Sequence, residues 1–415
     1  MSNSMVVVLL RFPVGKMLSS IRHTGTRGLF KTSQSPGLTS SSLRQCLTRS
    51  FASDTLSNGT RELKRTDRIV GYWLGGCCVM VIGSVIIGGL TRLTESGLSM
   101  TRWHIIKGMK PPRGEKEWNE EFERYKQFPE YEYVHKDITL ADFKRIFYME
   151  YIHRMWGRAI GLTFALPAGF FLLKKWVPKH VKPRLGFYAG VILFQGLLGW
   201  YMVKSGLESK PKSPGDVPRV SQYRLAAHLG TAIFLYSSML YTTLGLLLPI
   251  QKQNGTPAQL GRLRGLVHGA VAMTFFTALS GAFVAGLDAG LVYNSFPKMA
   301  GQWIPDDILA LSPKIKNFFE NPTTVQFDHR ILGTSTLLFV VGTWAMARGV
   351  GLSPRARLAV NCMAGMAFIQ VGLGISTLLY YVPTSLAAAH QSGSVTLLSL
   401  AIWLMHELRK KAPKL

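Results

Sequence analysis

Eight long apolar runs dominate this sequence of 415 residues and constrain its fold more than any other feature. Each run is about 20 residues long, the length that a helix needs to cross the roughly 30 Å hydrocarbon core of a bilayer. Because an isolated strand would leave backbone groups unpaired in lipid, we expect every run to be a helix. Charged residues make up only 17% of the chain, whereas soluble domains carry about 25%. The sequence therefore predicts an all-α polytopic membrane protein with eight transmembrane helices near residues 69–90, 151–173, 185–203, 225–248, 265–287, 330–347, 358–382 and 386–405.

The first fifty residues differ in composition from the rest of the chain. They contain seven Lys or Arg, fifteen Ser or Thr and no acidic residue. A basic, hydroxyl-rich and acid-free segment of this kind is typical of a mitochondrial transit peptide. The sequence Arg49-Ser50-Phe51-Ala52 resembles a processing site, so residues 1–51 are the expected transit peptide and residues 52–68 a matrix-side segment. A basic tail without a targeting role is the alternative.

The loops between the runs predict the orientation of the chain. Loops 174–184, 249–264 and 348–357 carry five, three and three Lys or Arg and no acidic residue, whereas loops 91–150 and 288–328 are rich in acids. Because basic loops stay on the side from which a chain is inserted, both termini are expected in the matrix, with the protein in the mitochondrial inner membrane. The formal net charge of +26 thus reflects topology and targeting. It does not indicate nucleic-acid binding, which needs a basic patch on a soluble module.

Short motifs recur in order along the chain, which predicts an internal duplication. An even number of spans in each repeat gives both repeats the same orientation, so a pseudo-two-fold axis along the membrane normal should relate two tandem four-helix bundles. The expected segments are an N-terminal bundle over 69–249, a matrix linker over 250–264, a C-terminal bundle over 265–408 and a basic matrix tail over 409–415. The matched motifs are Glu95-Ser96-Gly97-Leu98 with Asp288-Ala289-Gly290-Leu291, His153-Arg154-x-x-Gly157 with His329-Arg330-x-x-Gly333, Gln195-x-x-Leu198-Gly199 with Gln370-x-x-Leu373-Gly374, and Ala226-Ala227-His228 with Ala388-Ala389-His390.

Four histidines lie near the outward starts of the even-numbered spans, one pair in each predicted bundle: His153, His228, His329 and His390. A lone intramembrane histidine is often a hydrogen-bonded packing residue, and His268, which has no counterpart in the other repeat, is interpreted in this way. Packing alone does not require four histidines at one matched depth. Two facing imidazoles are what six-coordinate haem iron needs, so the pattern favours bis-histidine haem ligation in each bundle.

Other metal sites fit this pattern less well. Glu150-x-x-His153 has the spacing of di-iron carboxylate bundles, but such a site needs about four carboxylates from facing helices, and the span interiors supply none. Copper or zinc stays open, although neither accounts for the many glycines. The four cysteines have no metal or disulfide spacing.

The two repeats differ at one charged position. Glu150 precedes His153 by three residues, whereas Gln326 takes that place before His329, with Asp328 beside the histidine. A carboxylate near a haem edge can accept protons or stabilise developing positive charge. The alternative is an acid at a helix N-terminus, favoured there by the helix dipole.

Three arginines close to the histidines could bind haem propionates. Arg154, Arg158 and Arg330 are candidates because a guanidinium group binds a carboxylate through two parallel hydrogen bonds. An anchor in the lipid headgroup region is the alternative role for Arg154 and Arg330.

Beyond these patterns, the sequence resembles the haem A synthase family over residues 67–408. The resemblance implies oxidation of a ring methyl of haem O to a formyl group, which makes haem A for cytochrome c oxidase. It also implies that His153 and His228 hold the substrate haem, that His329 and His390 hold a permanent haem b, and that Glu150 is the catalytic acid. The segments that carry it are Gly89-Leu90-Thr91-Arg92-Leu93-Thr94-Glu95-Ser96-Gly97, Glu150-Tyr151-Ile152-His153-Arg154-Met155-Trp156-Gly157, Gln222-Tyr223-Arg224-Leu225-Ala226-Ala227-His228, Phe327-Asp328-His329-Arg330 and Ala389-His390-Gln391.

The resemblance further implies partners. An outside one-electron carrier is needed, for which the family suggests ferredoxin and ferredoxin reductase on the matrix side. Haem O would arrive from the farnesyl-transferring haem O synthase, and cytochrome oxidase assembly factors are further expected partners. Bacterial relatives often carry a cysteine pair in the first outward loop, but segment 91–150 has none, so no redox role of such a pair is transferred. The oxygen source, dioxygen or water, stays open, as does formation of a homo-oligomer.

Two other functions stay open from the residues alone. A di-haem transmembrane electron carrier would use the same four histidines without substrate chemistry, but it has no evident need of an acid such as Glu150 in one repeat only. A solute transporter with duplicated halves should show broken helices and polar sites near the membrane midplane. Here the distinctive polar residues gather at one membrane face instead.

Overall fold

The computed structural model describes residues 64–103, 110–209 and 218–410, and eleven α-helices fall within these ranges. The expected transit peptide over 1–51, residues 52–63 of segment 52–68 and most of the basic tail lie outside the described residues. Two short 3-10 helices, Ala289–Leu291 and Lys314–Lys316, precede α8. In chain order the α-helices are α1 Arg65–Leu93, α2 Gly114–Tyr125, α3 Pro129–Tyr133, α4 Leu140–Leu173, α5 Lys182–Leu207, α6 Gln222–Leu247, α7 Pro257–Gly286, α8 Asn317–Glu320, α9 Pro322–Arg348, α10 Pro354–Leu379 and α11 Thr384–Glu407.

Eight of these helices are long, and they coincide with the eight predicted spans. Within the described ranges, seven are long and apolar enough to cross a membrane: α1, α4, α5, α6, α7, α9 and α10. Helix α11 is not among them, because its first half carries His390, Gln391 and several serines. The prediction of an all-α polytopic membrane protein is confirmed, while the crossing of the membrane by α11 stays a prediction.

Local sequence sets where the long helices begin. Thr139 before α4 and Thr256 before α7 each form a capping box, in which the threonine side chain accepts a hydrogen bond from the third helical residue. Because of its cap, α4 begins at Leu140 rather than at residue 151, so its first turns project beyond the predicted span. The cap of α7 likewise makes the predicted linker over 250–264 helical from Pro257.

The long helices form two groups of four with the same packing. In the N-terminal group, α1 packs against α4 and α6, and α5 lies against α4 and α6. In the C-terminal group, α7, α9, α10 and α11 take the corresponding places. Each group has a buried core, one that includes Leu74 and Met239 and one that includes Leu263 and Met363. This packing supports the predicted tandem repeat, and the symmetry axis itself stays a prediction.

The two groups meet along α6 and α11. Helix α6 packs against α7 and α11, and α11 also packs against α1. Ile233 of α6 is buried together with Leu398 and Ile402 of α11. The side-chain amide of Gln391 on α11 donates a hydrogen bond to the backbone oxygen of Val85 on α1 at 2.7 Å. The first and the last long helices of the chain are therefore in direct contact.

The first acid-rich segment is largely helical rather than a simple loop. Helices α2 and α3 pack on the projecting start of α4, and we refer to α2, α3 and the first turns of α4 as the outward cap. Its core contains Trp118, Phe122 and Tyr125 of α2 with Phe143 and Phe147 of α4. The apolar residues of α2 recur every three or four positions, so they share one helix face, and most of the glutamates of α2 are exposed.

The loops divide between the two ends of the bundle as the charge pattern predicts. At one end, Arg92 at the end of α1 forms an ion pair with Asp288, which follows α7. At the other end, the amide of Gln253 donates hydrogen bonds to the hydroxyl of Ser353 and to the backbone oxygen of Glu407. Acid-rich and basic loops thus lie at opposite ends, which we call the outward and the matrix end after the predicted topology.

Candidate functional site

The four histidines predicted as ligands lie towards the outward end, and each packs against a glycine of a neighbouring helix. A Cβ atom at Gly88 or Gly374 would overlap the imidazole. At Gly281 it would be tight against the ring, and at Gly199 it would make an ordinary contact. The distances from a Cβ atom built on the glycine to Cε1 of the histidine are 2.8 Å for Gly88 and His153, 3.5 Å for Gly199 and His228, 3.3 Å for Gly281 and His329, and 2.7 Å for Gly374 and His390.

The C-terminal pair has a spacing that suits a shared metal ion. The ring centroids of His329 and His390 are 6.2 Å apart, and the ring planes are nearly perpendicular at 89°. Two metal–imidazole bonds of about 2 Å each, with about 1 Å from each nitrogen to its ring centre, give about 6 Å between centroids. In the N-terminal half, His153 on α4 and His228 on α6 take the places of His329 and His390 in the repeat. The structure thus brings His329 and His390 together, and the ligand role of all four histidines stays a prediction.

The Nδ1 atoms of the two pairs have different surroundings. Nδ1 of His329 lies 2.7 Å from the hydroxyl of Ser280, and Nδ1 of His390 lies 3.2 Å from the backbone oxygen of Gln370. In His153 and His228, Nδ1 is buried and has no hydrogen-bond partner among the described residues. The C-terminal contacts engage Nδ1 and leave Nε2 for a metal ion.

Glu150 is buried at the start of the predicted second span, and three groups lie around its carboxylate. Oε2 accepts hydrogen bonds from the hydroxyl of Ser99 and from the backbone N–H of Met100, both at 2.7 Å. Oε1 forms an ion pair with Arg154 at 2.6 Å, and both side chains are nearly inaccessible to solvent. These donors fix the position of the carboxylate one helical turn from His153.

Gln326 occupies the corresponding place in the C-terminal half, with the same partner spacing. Its side-chain oxygen accepts a hydrogen bond from Arg330 at 3.0 Å, and its amide donates to the backbone oxygen of Ala289 at 2.8 Å. Arg330 follows Gln326 by four residues, as Arg154 follows Glu150. The two halves therefore share one scaffold and differ in the charge that it carries.

The three candidate arginines differ in how many of their nitrogens are already used. Arg154 donates to the backbone oxygens of Met100 and Arg102 in addition to Glu150, so both of its terminal nitrogens, Nη1 and Nη2, already have partners. Arg330 donates through Nη2, but its buried Nε and Nη1 atoms have no hydrogen-bond partner in the described ranges. Arg158 lies one turn after Arg154 and is half-buried. Arg330 thus keeps two buried donor nitrogens, Nε and Nη1, that are available to a negatively charged group.

The outward cap contains a buried polar cluster that the sequence patterns did not indicate. The hydroxyl of Tyr125 lies 3.0 Å from Oε2 of Glu130 and 2.8 Å from Nδ1 of His135. Burial raises the pKa of Glu130 to about 8, despite the hydrogen bond from Tyr125. Burial also raises the pKa of Tyr125 and lowers that of His135. All three side chains are thus favoured in their neutral forms.

The donor set fits iron porphyrin better than a metal held by protein ligands alone. Within the described ranges, no three His, Cys, Asp or Glu side chains converge as they do in a protein-only metal site. Two histidines are enough for a metal ion whose other ligands come from a bound group, as the porphyrin provides them for haem iron. The buried, unpartnered nitrogens of Arg330 add a place for a negatively charged substituent of such a group. The residues present therefore fit a haem.

Some residues around the histidines escaped the sequence analysis. Ser280 was missed because nothing in the sequence links it to His329, 49 positions later. Gln370 belongs to a repeated motif, which was the available signal for its place beside His390. By contrast, His268 is exposed and its Nδ1 lies 2.7 Å from the backbone oxygen of Arg264, one turn earlier, so it takes no part in the site.

The fold and the histidines define a class of polytopic all-α membrane protein with a site that fits haem, and comparison with known proteins identifies the family. The chain matches the cytochrome oxidase assembly protein family, COX15-CtaA, over residues 71–402. A protein of Bos taurus named Heme A synthase COX15 is 58% identical over 347 residues, which cover 84% of each chain. The human protein of the same name is 57% identical over 347 residues, again 84% of each chain.

A bacterial relative extends the comparison. The protein of Nitrosospira multiformis named Heme A synthase is 45% identical over 362 residues, which cover 86% of this chain and 98% of the relative. The chain therefore belongs to the cytochrome oxidase assembly protein family. The resemblance found from the sequence motifs is confirmed.

Proposed function

We propose that this protein is a haem A synthase of the mitochondrial inner membrane, which oxidises a ring methyl of haem O to a formyl group. The proposal is carried by two matching histidine pairs together with one difference between the halves. The N-terminal half has the carboxylate of Glu150 where the C-terminal half has Gln326. The names of the mitochondrial and bacterial relatives support the product. The apolar helices and the acid-free first fifty residues support the location.

The two halves have different tasks in this proposal. His329 and His390 hold a permanent haem b, which supplies one-electron transfer when it is bound. His153 and His228 hold haem O as the substrate. Arg330 binds a propionate of the C-terminal haem through Nε or Nη1, because these buried nitrogens have no hydrogen-bond partner among the described residues.

Glu150 is the group that handles charge and protons in the N-terminal half. Ser99, Met100 and Arg154 hold its carboxylate in one place, so no reorientation is needed when charge develops nearby. The carboxylate stabilises the positive charge that develops at the porphyrin edge and accepts the proton that leaves the methyl carbon. General acid–base groups of this kind contribute about 10²–10⁴-fold to a rate.

Partners follow from the chemistry. Conversion of a methyl to a formyl group removes four electrons from the carbon and adds one oxygen atom, which comes from dioxygen or from water. An outside one-electron carrier exchanges electrons with the protein in either case, for which we propose ferredoxin with its reductase at the matrix end, where the basic loops lie. Haem O comes from the farnesyl-transferring haem O synthase, and the product passes to assembly factors of cytochrome c oxidase. Both termini face the matrix, and the protein needs no nucleic acid.

The proposal is tested with Glu150→Gln, which preserves the size of the side chain and imitates the C-terminal half. We expect the variant to bind haem and to form haem A at least about a hundredfold more slowly, because the charged proton acceptor is gone. The measurement is the ratio of haems B, O and A extracted from purified protein made in cells that produce haem O. Glu123→Gln, which changes an exposed carboxylate of α2, is the matched control.

Two outcomes would contradict the proposal. Normal haem A formation by Glu150→Gln would remove the role assigned to the carboxylate. Haem B alone in both sites of the unmodified protein, in cells that produce haem O, would instead indicate a di-haem electron carrier. Separate His153→Ala and His329→Ala variants assign the two haems, and only the first should lose haem O.

A further inference from the structure

The hydrogen bond at His329 determines which ring nitrogen can bind a metal. Ser280 Oγ donates its own hydrogen to the backbone oxygen of Thr277 at 2.8 Å, so its lone pair faces Nδ1 of His329 at 2.7 Å. Nδ1–H of His329 therefore donates to Ser280. This fixes the tautomer in which Nε2 has the free lone pair, and it also fixes the orientation of the ring.

His390 is held by Gln370 through a reciprocal contact. Nδ1 of His390 lies 3.2 Å from the backbone oxygen of Gln370, and the side-chain amide of Gln370 donates to the backbone oxygen of His390 at 2.9 Å. The same amide lies 3.1 Å from Nδ1. Residue 393 leaves the space for this arrangement because it is glycine, and a Cβ atom there would overlap the side chain of Gln370.

The N-terminal half lacks both arrangements at corresponding positions. The matched motifs at Glu95 and Asp288 place Ile87 where the C-terminal half has Ser280. An isoleucine side chain cannot accept a hydrogen bond, and Nδ1 of His153 is buried without a partner in the described part of the chain.

The glutamine of the N-terminal half is also arranged differently. Thr231 corresponds to Gly393 through the motifs that end in His228 and His390. The amide of Gln195 donates to the hydroxyl of Thr231 at 2.9 Å and to the backbone oxygen of His228 at 3.0 Å. Nδ1 of His228 is buried and unpartnered within the described ranges.

We propose that Ser280 and Gln370 are positioning residues that make the C-terminal half retain its haem, and that Ile87 and Thr231 keep the N-terminal half exchangeable. A partner at Nδ1 orients a histidine ligand and strengthens its bond to the metal, and loss of such a partner lowers metal affinity or activity by about 10–100-fold. The inference rests on the proposed function, in which only the N-terminal haem must enter as a substrate and leave as a product. The same duplicated scaffold thus provides a permanent site and a turnover site.

The test measures haem release without turnover. Full-length protein in a His228→Ala background, loaded with haem b in its C-terminal half, is mixed with excess apomyoglobin as the haem acceptor. Ser280→Ala should release haem about 10–100-fold faster and raise the midpoint potential of the haem, because the histidine becomes a weaker donor to ferric iron. Ser280→Thr keeps the hydroxyl and should release haem at the rate of the unmodified protein.

A reciprocal variant adds a contact instead of removing one. In a His329→Ala background, Ile87→Ser should slow haem release from the N-terminal half, an effect that damage to the fold cannot imitate. A Ser280→Ala protein that carries no haem while Ser280→Thr is loaded would also support the proposal.

Two results would overturn it: an unchanged release rate and potential in Ser280→Ala, or an unchanged release rate in Ile87→Ser. Neither measurement depends on haem A formation. A failure of the proposed function would therefore be seen separately.

Discussion

At the scale of single residues, the four glycines that contact the candidate histidines are as informative as the histidines themselves. Each of the four histidines packs against a glycine, and the glycines occupy matching positions, Gly88 with Gly281 and Gly199 with Gly374. Two of the Gly–His distances are below 3.0 Å when a Cβ atom is added, so even alanine would displace the imidazole. These glycines therefore determine where each ring nitrogen lies.

Gly374→Ala should lower the haem content of the C-terminal half. The added methyl group would lie 2.7 Å from Cε1 of His390, and overpacking of this kind costs about 1–3 kcal/mol, which corresponds to about tenfold weaker binding or more. The measurement is haem b per protein after purification of the full chain in detergent. Gly365→Ala on the same helix is the control, because its added methyl group meets no atom within 4 Å. Equal haem content in both variants would contradict the role of Gly374.

The sequence indicated the four candidate histidines but not their surroundings. The four histidines could be recognised because their motifs repeat in order and because imidazole at matched depth has few structural uses in a membrane. The contacts of Glu150 could not be predicted, since Ser99 and Met100 lie about fifty positions away and reach it only through the fold. The asymmetry between Glu150 and Gln326 was visible in the sequence, but their shared arginine scaffold was not.

At the scale of helices, the outward cap stands apart from the bundle on which it lies. It has its own aromatic core, around Trp118 and Phe143, and its own buried polar cluster. Burial shifts the pKa of Glu130 upward and the pKa of His135 downward, so both groups favour the folded cap only while they are neutral. The stability of the cap should therefore depend on pH.

The cap should lose stability as the pH rises from 6.5 to 8. The folded pKa of Glu130 is about 8 and its ordinary value is 4.5, so its contribution is complete below pH 4.5 and is lost as the pH rises through 8. His135, with a pKa lowered from 6.5, acts in the opposite sense and loses its contribution only as the pH falls below that value. Hydrogen exchange of the α2 and α3 amides, corrected for intrinsic rates, measures the effect. Glu130→Gln should remove it, and an identical pH dependence in both proteins would contradict this explanation.

The long helices could be predicted from the sequence because lipid imposes their composition directly. The outward cap could not, because its helices depend on the residues against which they pack. A lipid environment requires about 20 apolar residues in a row, and such runs are visible without any knowledge of partners. Helix α2 has a charged outer face and only three buried side chains, so its stability depends on α4, whose start at Leu140 was itself missed. Helix α11 shows where mean hydropathy fails as a guide. Its polar first half keeps it out of the helices that are apolar enough to span a membrane, yet it packs with the other long helices.

At the scale of the whole molecule, a small ion-pair network links the two halves at the outward end. Asp288, in a left-handed backbone conformation with φ 52°, pairs with Arg92 at 2.7 Å and with Arg219 at 3.0 Å. Glu95, the corresponding residue of the N-terminal half, has φ 49° and is exposed. The shared backbone conformation supports the duplication, while among the described residues only Asp288 of the two forms ion pairs.

Asp288→Asn should lower the thermal unfolding temperature modestly and in a salt-dependent way. Asparagine tolerates the left-handed conformation, so the change removes charge with little strain. The side chain of Asp288 is 40% exposed, and pairs screened to this extent contribute about 1 kcal/mol or less. Unfolding in detergent is measured at low salt and at about 1 M salt, where the Debye length is about 3 Å. Glu95→Gln is the control, and a difference that persists at high salt would contradict an ionic origin.

The contact between α1 and α11 has a consequence for how the chain is made. Synthesis delivers the first helix to the bilayer long before the last, and Val85 receives its hydrogen bond from Gln391 only after 306 further residues have been translated. Until then the face of α1 that later contacts α11 is exposed to lipid. The contact between α1 and α11 therefore forms at the end of biogenesis rather than at its beginning. In a truncated nascent chain this face of α1 stays uncovered, and an insertion factor can shield it.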